Sequence, residues 1–240
     1  DHSVFRPFAA ALAGFAQVVY LDQRGCGRSD RSEPARWNLD TWADDVRAVC
    51  DALEVVRPVV LGFSFGGIVA QAYATRYPDH PGKLILASTP ARLRLDRMLP
   101  MFETLGGPRA ADVARRFFTD PAATFPEYVE VCLPLYNQSP PDADALARAV
   151  LHLDVGSHFV GGEMQTYDLR AALAGVRCPT LVLSGDLDPF ATREDIRELI
   201  AALPPALVEA RQIAQAGHDV FADAPAEVAA ALESFVTRTR

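Results

Sequence analysis

The sequence lacks the patterns that mark membrane, metal-binding and disulfide-bonded proteins. No apolar run approaches the roughly 18–20 residues that a membrane-spanning helix needs. The four cysteines are far apart and show neither CxxC nor Cys/His spacing: Cys26, Cys50, Cys132 and Cys178. This spacing predicts neither a zinc site nor a disulfide scaffold. We therefore expect reduced thiols, a cytoplasmic location, and no metal or other cofactor.

Positive charge is also scarce. The chain carries 23 Lys and Arg against 31 Asp and Glu, a formal net charge of -8. A nucleic-acid surface needs clustered basic residues that displace phosphate counterions, and an anionic membrane surface attracts the same residues. We expect neither partner. The expected partner is a small-molecule or short-peptide substrate, and the oligomeric state is left open.

Half of the residues are apolar, and they recur in short runs that alternate with helix-length segments. Such alternation is typical of an α/β fold, a mostly parallel sheet with helices on both faces. At the start of the first predicted helix, Thr41 and Asp44 resemble a capping box. The strands are predicted at 17–21, 58–62, 83–87, 179–183 and 206–213, and the helices at 41–55, 65–77, 192–203 and 226–237.

One long stretch interrupts the alternation. Residues 91–165 are punctuated by Arg and Pro and are mostly helical in pattern, with scattered Met and Phe as apolar anchors. We interpret this stretch as a helical lid inserted between two strands of the sheet. The predicted domain organisation is therefore a core of residues 1–90 and 166–240 with a lid of residues 91–165.

A candidate nucleophile follows the second predicted strand. Residues 62–66 fit G-x-S-x-G, with Ser64 at the centre of a strand–turn–helix context. This motif holds the serine in a strained turn with its Oγ above the sheet. Gly62 and Gly66 are expected to remove side chains that would collide there. The N–H of Phe65 is the expected oxyanion donor, since it opens a helix.

A serine nucleophile requires a base, and the base requires an orienting acid. His218 follows the last predicted strand, at the carboxyl edge of the sheet where α/β folds bind ligands. Two carboxylates follow the strand before it. Asp188 is the preferred acid, and Asp186, directly after the strand, is interpreted as a turn or capping residue.

Four segments together resemble the α/β-hydrolase family: LDQRGCGRS at 21–29, GFSFGG at 62–67, GDLDP at 185–189 and GH at 217–218. The resemblance implies an α/β-hydrolase fold and maps the family's acid onto Asp188. More narrowly, the first segment and the start DHS resemble the proline iminopeptidase branch. In that branch lid carboxylates bind the free amino terminus of the substrate, which makes Glu127, Glu130 and Glu163 candidates here.

The family's sheet has about three further strands before the first one predicted here, and its oxyanion loop precedes the DHS start. We therefore expect a chain that lacks its N-terminal strands and that loop. The expected activity is cleavage of an amide or ester through an acyl-enzyme on Ser64, with N-terminal proline preferred. A carboxylesterase, a lactonase, a C–C bond hydrolase or a non-catalytic ligand-binding relative remain alternatives.

Overall fold

A computed structural model of the chain describes residues 1–140, 142 and 144–239. Its centre is a four-stranded, all-parallel sheet in the order β1-β2-β3-β4. Four of the five predicted strands are confirmed, each within two residues of its predicted limits. The strands are β1 (Val59–Phe63), β2 (Lys83–Ala87), β3 (Thr180–Gly185) and β4 (Val208–Ile213).

The first predicted strand, at 17–21, is wrong. An extended segment becomes a strand only when a neighbour completes its hydrogen-bond ladder. None of the described residues pairs with 17–21, and Val19 and Tyr20 are 53% and 37% exposed. The segment has the apolar pattern of a strand but no neighbouring strand among the described residues. The edge of the observed sheet is β1, whose Val59 is 41% exposed.

Helices connect the strands and cover the sheet, and short 3-10 helices occur at His2–Phe5, Pro34–Arg36, Leu133–Leu135 and Glu163–Gln165. Within the described part of the chain, no helix is long and apolar enough to cross a bilayer. The α-helices are α1 (Arg6–Ala13), α2 (Leu39–Ala52), α3 (Phe65–Arg76), α4 (Leu95–Thr119), α5 (Pro121–Val131), α6 (Ala145–Arg148), α7 (Leu153–Gly161), α8 (Arg170–Leu173), α9 (Arg193–Ala202), α10 (Val220–Asp223) and α11 (Pro225–Thr237).

The start of α2 differs from the predicted capping box. The helix begins two residues earlier, and the side chain of Asn38 accepts the Thr41 N–H at 2.9 Å. Asn is among the best residues at this position because its short side chain reaches the free amides of the first turn. Asp44 instead accepts a hydrogen bond from the Tyr77 hydroxyl at 2.6 Å.

Both faces of the sheet are buried, as predicted for an α/β fold. Alternate residues of β2 enter different apolar clusters: Leu84 and Leu86 pack with Trp42 of α2 on one face, and Ile85 packs with Leu232 of α11 on the other. This division follows from the two-residue period of a strand. The sheet is therefore a rigid support for residues at its carboxyl edge.

Helices α4 to α8 lie between β2 and β3, the position that the sequence predicts for the lid. The longest, α4, is interrupted at Gly107, whose φ of 75° is outside the helical region and precedes Pro108. The two chain connections to the insertion meet in an antiparallel bridge between Arg92 and Asp168. The division into core and lid at residues 91 and 165 stays a prediction.

Candidate active site

Ser64 occupies the turn between β1 and α3 in a backbone conformation that side chains rarely adopt, with φ 52° and ψ -119°. Three backbone bonds hold it there. Its N–H donates to the carbonyl of Ala87 at 2.9 Å, and its own carbonyl accepts from Gly67 and Ile68 at 2.9 and 3.2 Å. Strain of this kind persists only where the surroundings enforce it, and it is frequent at functional sites.

Two glycines make the turn possible, but they are not the expected pair. A Cβ on Gly62 would lie 2.3 Å from the carbonyl oxygen of Gly66, and one on Gly67 would lie 2.5 Å from the Thr89 side chain. A Cβ on Gly66 would meet nothing within 4 Å. The expectation that Gly66 prevents a collision is therefore wrong, because the close approach to β2 occurs one residue later.

The structure brings Ser64, His218 and Asp188 into one hydrogen-bonded chain. The Nε2 atom of His218 is 2.8 Å from the Ser64 Oγ, and its Nδ1 atom is 2.9 and 3.0 Å from the two Asp188 oxygens. A carboxylate only accepts hydrogen bonds, so Nδ1 carries a proton. In the neutral ring Nε2 is then the acceptor, which is the arrangement that a base for the serine hydroxyl requires.

Burial and further bonds fix the acid. Asp188 is 2% exposed and His218 is 5% exposed. One Asp188 oxygen also accepts the N–H groups of Phe190 and Ala191 at 2.8 and 3.0 Å. The alternative acid, Asp186, pairs with Arg193 at 3.0 Å instead. Its carboxylate is thus engaged away from the histidine.

The expected oxyanion donor lies beside the serine. Phe65 is the first residue of α3, and the N–H groups of a first helical turn have no acceptor within the helix. The positive end of the helix dipole is at the same place. The Phe65 amide is therefore available to a negatively charged oxygen that forms next to Ser64.

Aromatic rings and one backbone bond orient His218. The rings of Tyr136, Phe63 and Phe190 lie 4.9, 5.0 and 5.3 Å from the imidazole, measured between centroids. The N–H of His218 donates to the Tyr136 carbonyl at 2.6 Å. A segment of the insertion, just after the 3-10 helix Leu133–Leu135, therefore contacts the candidate base directly.

A residue that the sequence analysis missed strengthens this contact. Asp223, at the end of α10, accepts the Gly217 N–H at 2.7 Å. It also accepts three bonds from the insertion: the Gln138 N–H at 3.0 Å, the Ser139 N–H at 2.7 Å and the Ser139 hydroxyl at 2.6 Å. Partial burial favours its neutral form, but the bonds from Ser139, Gly217 and Gln138 outweigh burial and hold the pKa of Asp223 below its ordinary value. No local signal identifies it, because the insertion donors are 84 and 85 residues away.

A cavity of about 510 Å³ opens beside Ser64 and His218. Most of its wall is aromatic or aliphatic, and no Lys, Arg or Glu is among the lining residues of the described chain. Asp1 is the one carboxylate in the wall, and it pairs with Arg28 and accepts the Ser3 hydroxyl at 2.6 Å. The aromatic lining residues are Trp42, Phe63, Phe65, Phe117, Phe118, Phe125, Tyr128, Tyr136, Phe159 and Phe190.

The three candidate carboxylates of the lid do not reach this cavity. Glu127 pairs with Arg116 at 2.7 Å, and Glu130 lies 3.6 Å from Arg109, both on the outer surface of α4 and α5. Glu163 accepts the N–H of the first residue of α2 at 2.8 Å. Their present partners are arginines and a helix terminus, so contact of these three residues with substrate stays a prediction.

One group of side chains has the composition of a cation site. Asp1, His2 and Asp22 have ligand atoms within 4.8 Å of one another. They already bind each other and the protein: His2 Nδ1 lies 3.0 Å from Asp22, whose other oxygen accepts the Arg28 N–H at 2.9 Å. Asp1 pairs with the Arg28 guanidinium. The arrangement is satisfied without a cation.

Known proteins resemble this chain in sequence and in fold. The family model of the alpha/beta hydrolase fold matches residues 1–225. AB hydrolase superfamily protein YisY of Bacillus subtilis (strain 168) is 28% identical in an alignment of 220 positions that covers 85% of this chain and 75% of YisY. Proline iminopeptidase of Levilactobacillus brevis is 29% identical over 253 residues, covering 98% of this chain and 84% of its own.

A solved structure shows the same fold. The crystal structure of proline iminopeptidase from Mycobacterium smegmatis superposes with a TM-score of 0.81 at 23% identity, covering 98% of this chain and 84% of that one. The comparisons confirm the predicted fold and the resemblance to the proline iminopeptidase branch. The chain belongs to the α/β-hydrolase fold family.

Proposed function

We propose that the chain is a serine hydrolase that cleaves carboxylic esters of uncharged, mostly apolar acyl groups through an acyl-enzyme on Ser64. One observation carries the proposal. The Ser64 Oγ lies 2.8 Å from the Nε2 of a histidine that Asp188 orients, and both line a cavity whose wall is mostly aromatic and aliphatic.

Acylation requires Ser64, His218, Asp188 and the Phe65 amide. The Ser64 Oγ attacks the ester carbonyl carbon while His218 Nε2 takes the hydroxyl proton. The carbonyl oxygen gains the negative charge, and the Phe65 N–H stabilises it. The C–O bond to the alcohol then breaks, and His218 returns its proton to the departing oxygen. Asp188 remains ionised throughout and stabilises the imidazolium.

Deacylation repeats the same steps with water. Water attacks the acyl carbon and gives a proton to His218 Nε2, and the Ser64 oxygen leaves and takes that proton back. The products are the free acid and the unmodified enzyme. Burial of Asp188 and His218 supports this cycle, because a low-dielectric site strengthens the attraction between the carboxylate and the imidazolium.

The charges of the cavity support an uncharged acyl group. A free ammonium in this cavity would lose water, which is costly unless a carboxylate compensates. The only carboxylate in the described wall, Asp1, is already paired with Arg28. Burial of apolar surface is favourable at about 25 cal/mol per Å², so an aliphatic or aryl acyl group gains binding energy there.

A second candidate is the release of N-terminal proline from short peptides. The resemblance to the proline iminopeptidase branch favours it, as does the presence of one carboxylate, Asp1, in the cavity wall. This activity would require Asp1 to exchange its bond with Arg28 for one with the substrate's ammonium. Both candidate activities use Ser64 as the nucleophile. They differ in whether the substrate carries a free ammonium group.

Hydrolysis of p-nitrophenyl octanoate and of proline p-nitroanilide tests both candidates. We expect turnover of the ester, a loss of at least about 10³ in kcat for Ser64→Ala, and a change of less than tenfold for Ser157→Ala, a matched serine in the same cavity wall. Faster turnover of the prolyl substrate would favour the iminopeptidase. Ester hydrolysis that survives in Ser64→Ala would reject both.

A further inference from the structure

The hydroxyl groups of two tyrosines lie close together in the wall of the mostly apolar cavity. Tyr128 of α5 and Tyr136 both line it, and their hydroxyl oxygens are 2.5 Å apart. Neighbouring rings hold them in place. Phe117 stacks on Tyr128 with 4.0 Å between ring centroids, and Tyr136 stands edge-on to the ring of His218 at 4.9 Å. The pair is therefore rigid, and the Tyr136 ring contacts the ring of His218, the candidate base.

A count of protons leaves this pair with an unused donor. Each tyrosine hydroxyl carries one proton. One proton forms the bond between the two oxygens, and the structure gives the other no acceptor among the described residues. Tyr128 is 5% exposed and Tyr136 is partly buried, and a donor that a bound ligand buries without an acceptor costs about 1–3 kcal/mol. A ligand that offers an acceptor removes this cost.

The surroundings specify the kind of acceptor. Burial raises the pKa of both tyrosines, so the pair stays protonated and donates. No Lys or Arg lines the cavity in the described chain, so a carboxylate bound here would lack a counter-ion and would be strongly disfavoured. A neutral oxygen with lone pairs, such as that of a ketone, an ester or an ether, fits the pair.

We propose that Tyr128 and Tyr136 form a polar subsite that binds a neutral oxygen on the acyl chain of the substrate, away from the reacting carbonyl. The inference rests on the proposed function, and it narrows the substrate class to esters of oxygenated acyl groups. Most of the remaining wall is apolar, so the subsite favours one position of that oxygen along the chain.

A series of equal-length esters tests the subsite. The p-nitrophenyl esters of octanoic acid and of 4-, 5- and 6-oxo-octanoic acid differ by one ketone and its position. We expect one oxo ester to have a higher kcat/KM than the octanoate ester and than the other two oxo esters. Its ratio to octanoate should fall about tenfold in Tyr128→Phe/Tyr136→Phe, as the loss of one hydrogen bond predicts. Each single variant then shows which hydroxyl donates.

Two results would overturn the proposal. One is a ratio of oxo ester to octanoate that is the same in the wild type and the double variant. The other is an equal loss of activity on octanoate and on every oxo ester, which would assign the hydroxyls to the reacting carbonyl. Active-site titration and the melting temperature of each variant separate these results from misfolding, and the single variants provide folded proteins if the double variant fails.

A binding measurement keeps this inference separate from the hydrolase proposal. In Ser64→Ala, methyl octanoate and methyl 5-oxo-octanoate are titrated against the fluorescence of Trp42, which also lines the cavity. Tighter binding of the oxo ester, lost in the double tyrosine variant, supports the subsite even if the wild type hydrolyses neither ester. Hydrolysis of both esters with equal binding rejects the subsite and leaves the hydrolase intact.

Discussion

Asp223→Asn removes the carboxylate that joins the insertion to the loop of His218. Asp223 accepts hydrogen bonds from Ser139 and Gln138 on one side and from Gly217 on the other. An amide of the same shape keeps one accepting oxygen, but its NH₂ faces an N–H donor. The substitution therefore breaks at least one of these bonds and turns the remaining contact into a clash of donors.

The magnitude follows from the kind of bond lost. A hydrogen bond to a charged group contributes about 1.5–3 kcal/mol, so we expect a loss of about 2 kcal/mol in the free energy of unfolding. For a chain of this size each kcal/mol lowers Tm by about 2–4 °C. The activity should fall more steeply, since a shift of about 1 Å in a catalytic group costs up to 10²-fold. We expect kcat to fall about 10- to 100-fold.

The pH dependence of this stabilisation has a definite sign. The pKa of Asp223 is lowered in the folded protein, so the ionised carboxylate favours folding. Its contribution is fully present above the ordinary Asp value of about 4 and is lost as the pH falls through the lowered pKa. The difference in Tm between wild type and Asp223→Asn should therefore be largest near neutrality and shrink below about pH 4.

The assay is ester hydrolysis at 25 °C together with thermal melts from pH 7 to pH 3. Asp219→Asn is the matched control, because Asp219 lies on the same loop and its carboxylate accepts the N–H groups of Phe221 and Ala222 at the start of α10. Asn caps a helix as well as Asp, so this control should change Tm and kcat little. A normal kcat for Asp223→Asn, at any Tm, would refute the coupling of the insertion to His218.

Other substitutions test the site residue by residue. Asp188→Asn should lower kcat by about 10³–10⁴ and Asp186→Asn by less than tenfold, measured by steady-state kinetics; the reverse order would move the acid. Gly67→Ala should lower the free energy of unfolding by about 1–3 kcal/mol, because its Cβ would meet Thr89 at 2.5 Å. Denaturant titration should find Gly66→Ala neutral or stabilising.

Much of the fold could be predicted from the sequence because its signals are local. Strands β2 and β3 are short runs, mostly apolar, that are buried on both sides, and that pattern is visible without a partner. The segment at 17–21 has the same pattern but remains outside the sheet, because a strand also requires a neighbour that no local pattern provides. Asn38 caps α2, but several neighbouring residues are also polar. The sequence pattern alone does not show which of them is the cap.

Some residues of the candidate site could also be predicted from the sequence, and others could not. Ser64, Asp188 and His218 stand next to strand ends, so the parallel sheet brings them to one edge. Asp223 and Tyr136 could not be predicted, because their partners lie across the insertion. The resemblance makes Glu163 a candidate for binding the substrate, but its carboxylate accepts the N–H of the first residue of α2. Only the packed structure shows whether a carboxylate faces solvent, supports the fold or faces the substrate.

Covalent labelling tests the central claim most directly. A fluorophosphonate reacts with a serine that a neighbouring base activates, and the labelled peptide is identified by mass spectrometry. We expect a single adduct on Ser64, none in Ser64→Ala, and a labelling rate at least about 10³ lower in His218→Ala. An adduct on another residue, or unchanged labelling of Ser64 without His218, would contradict the account.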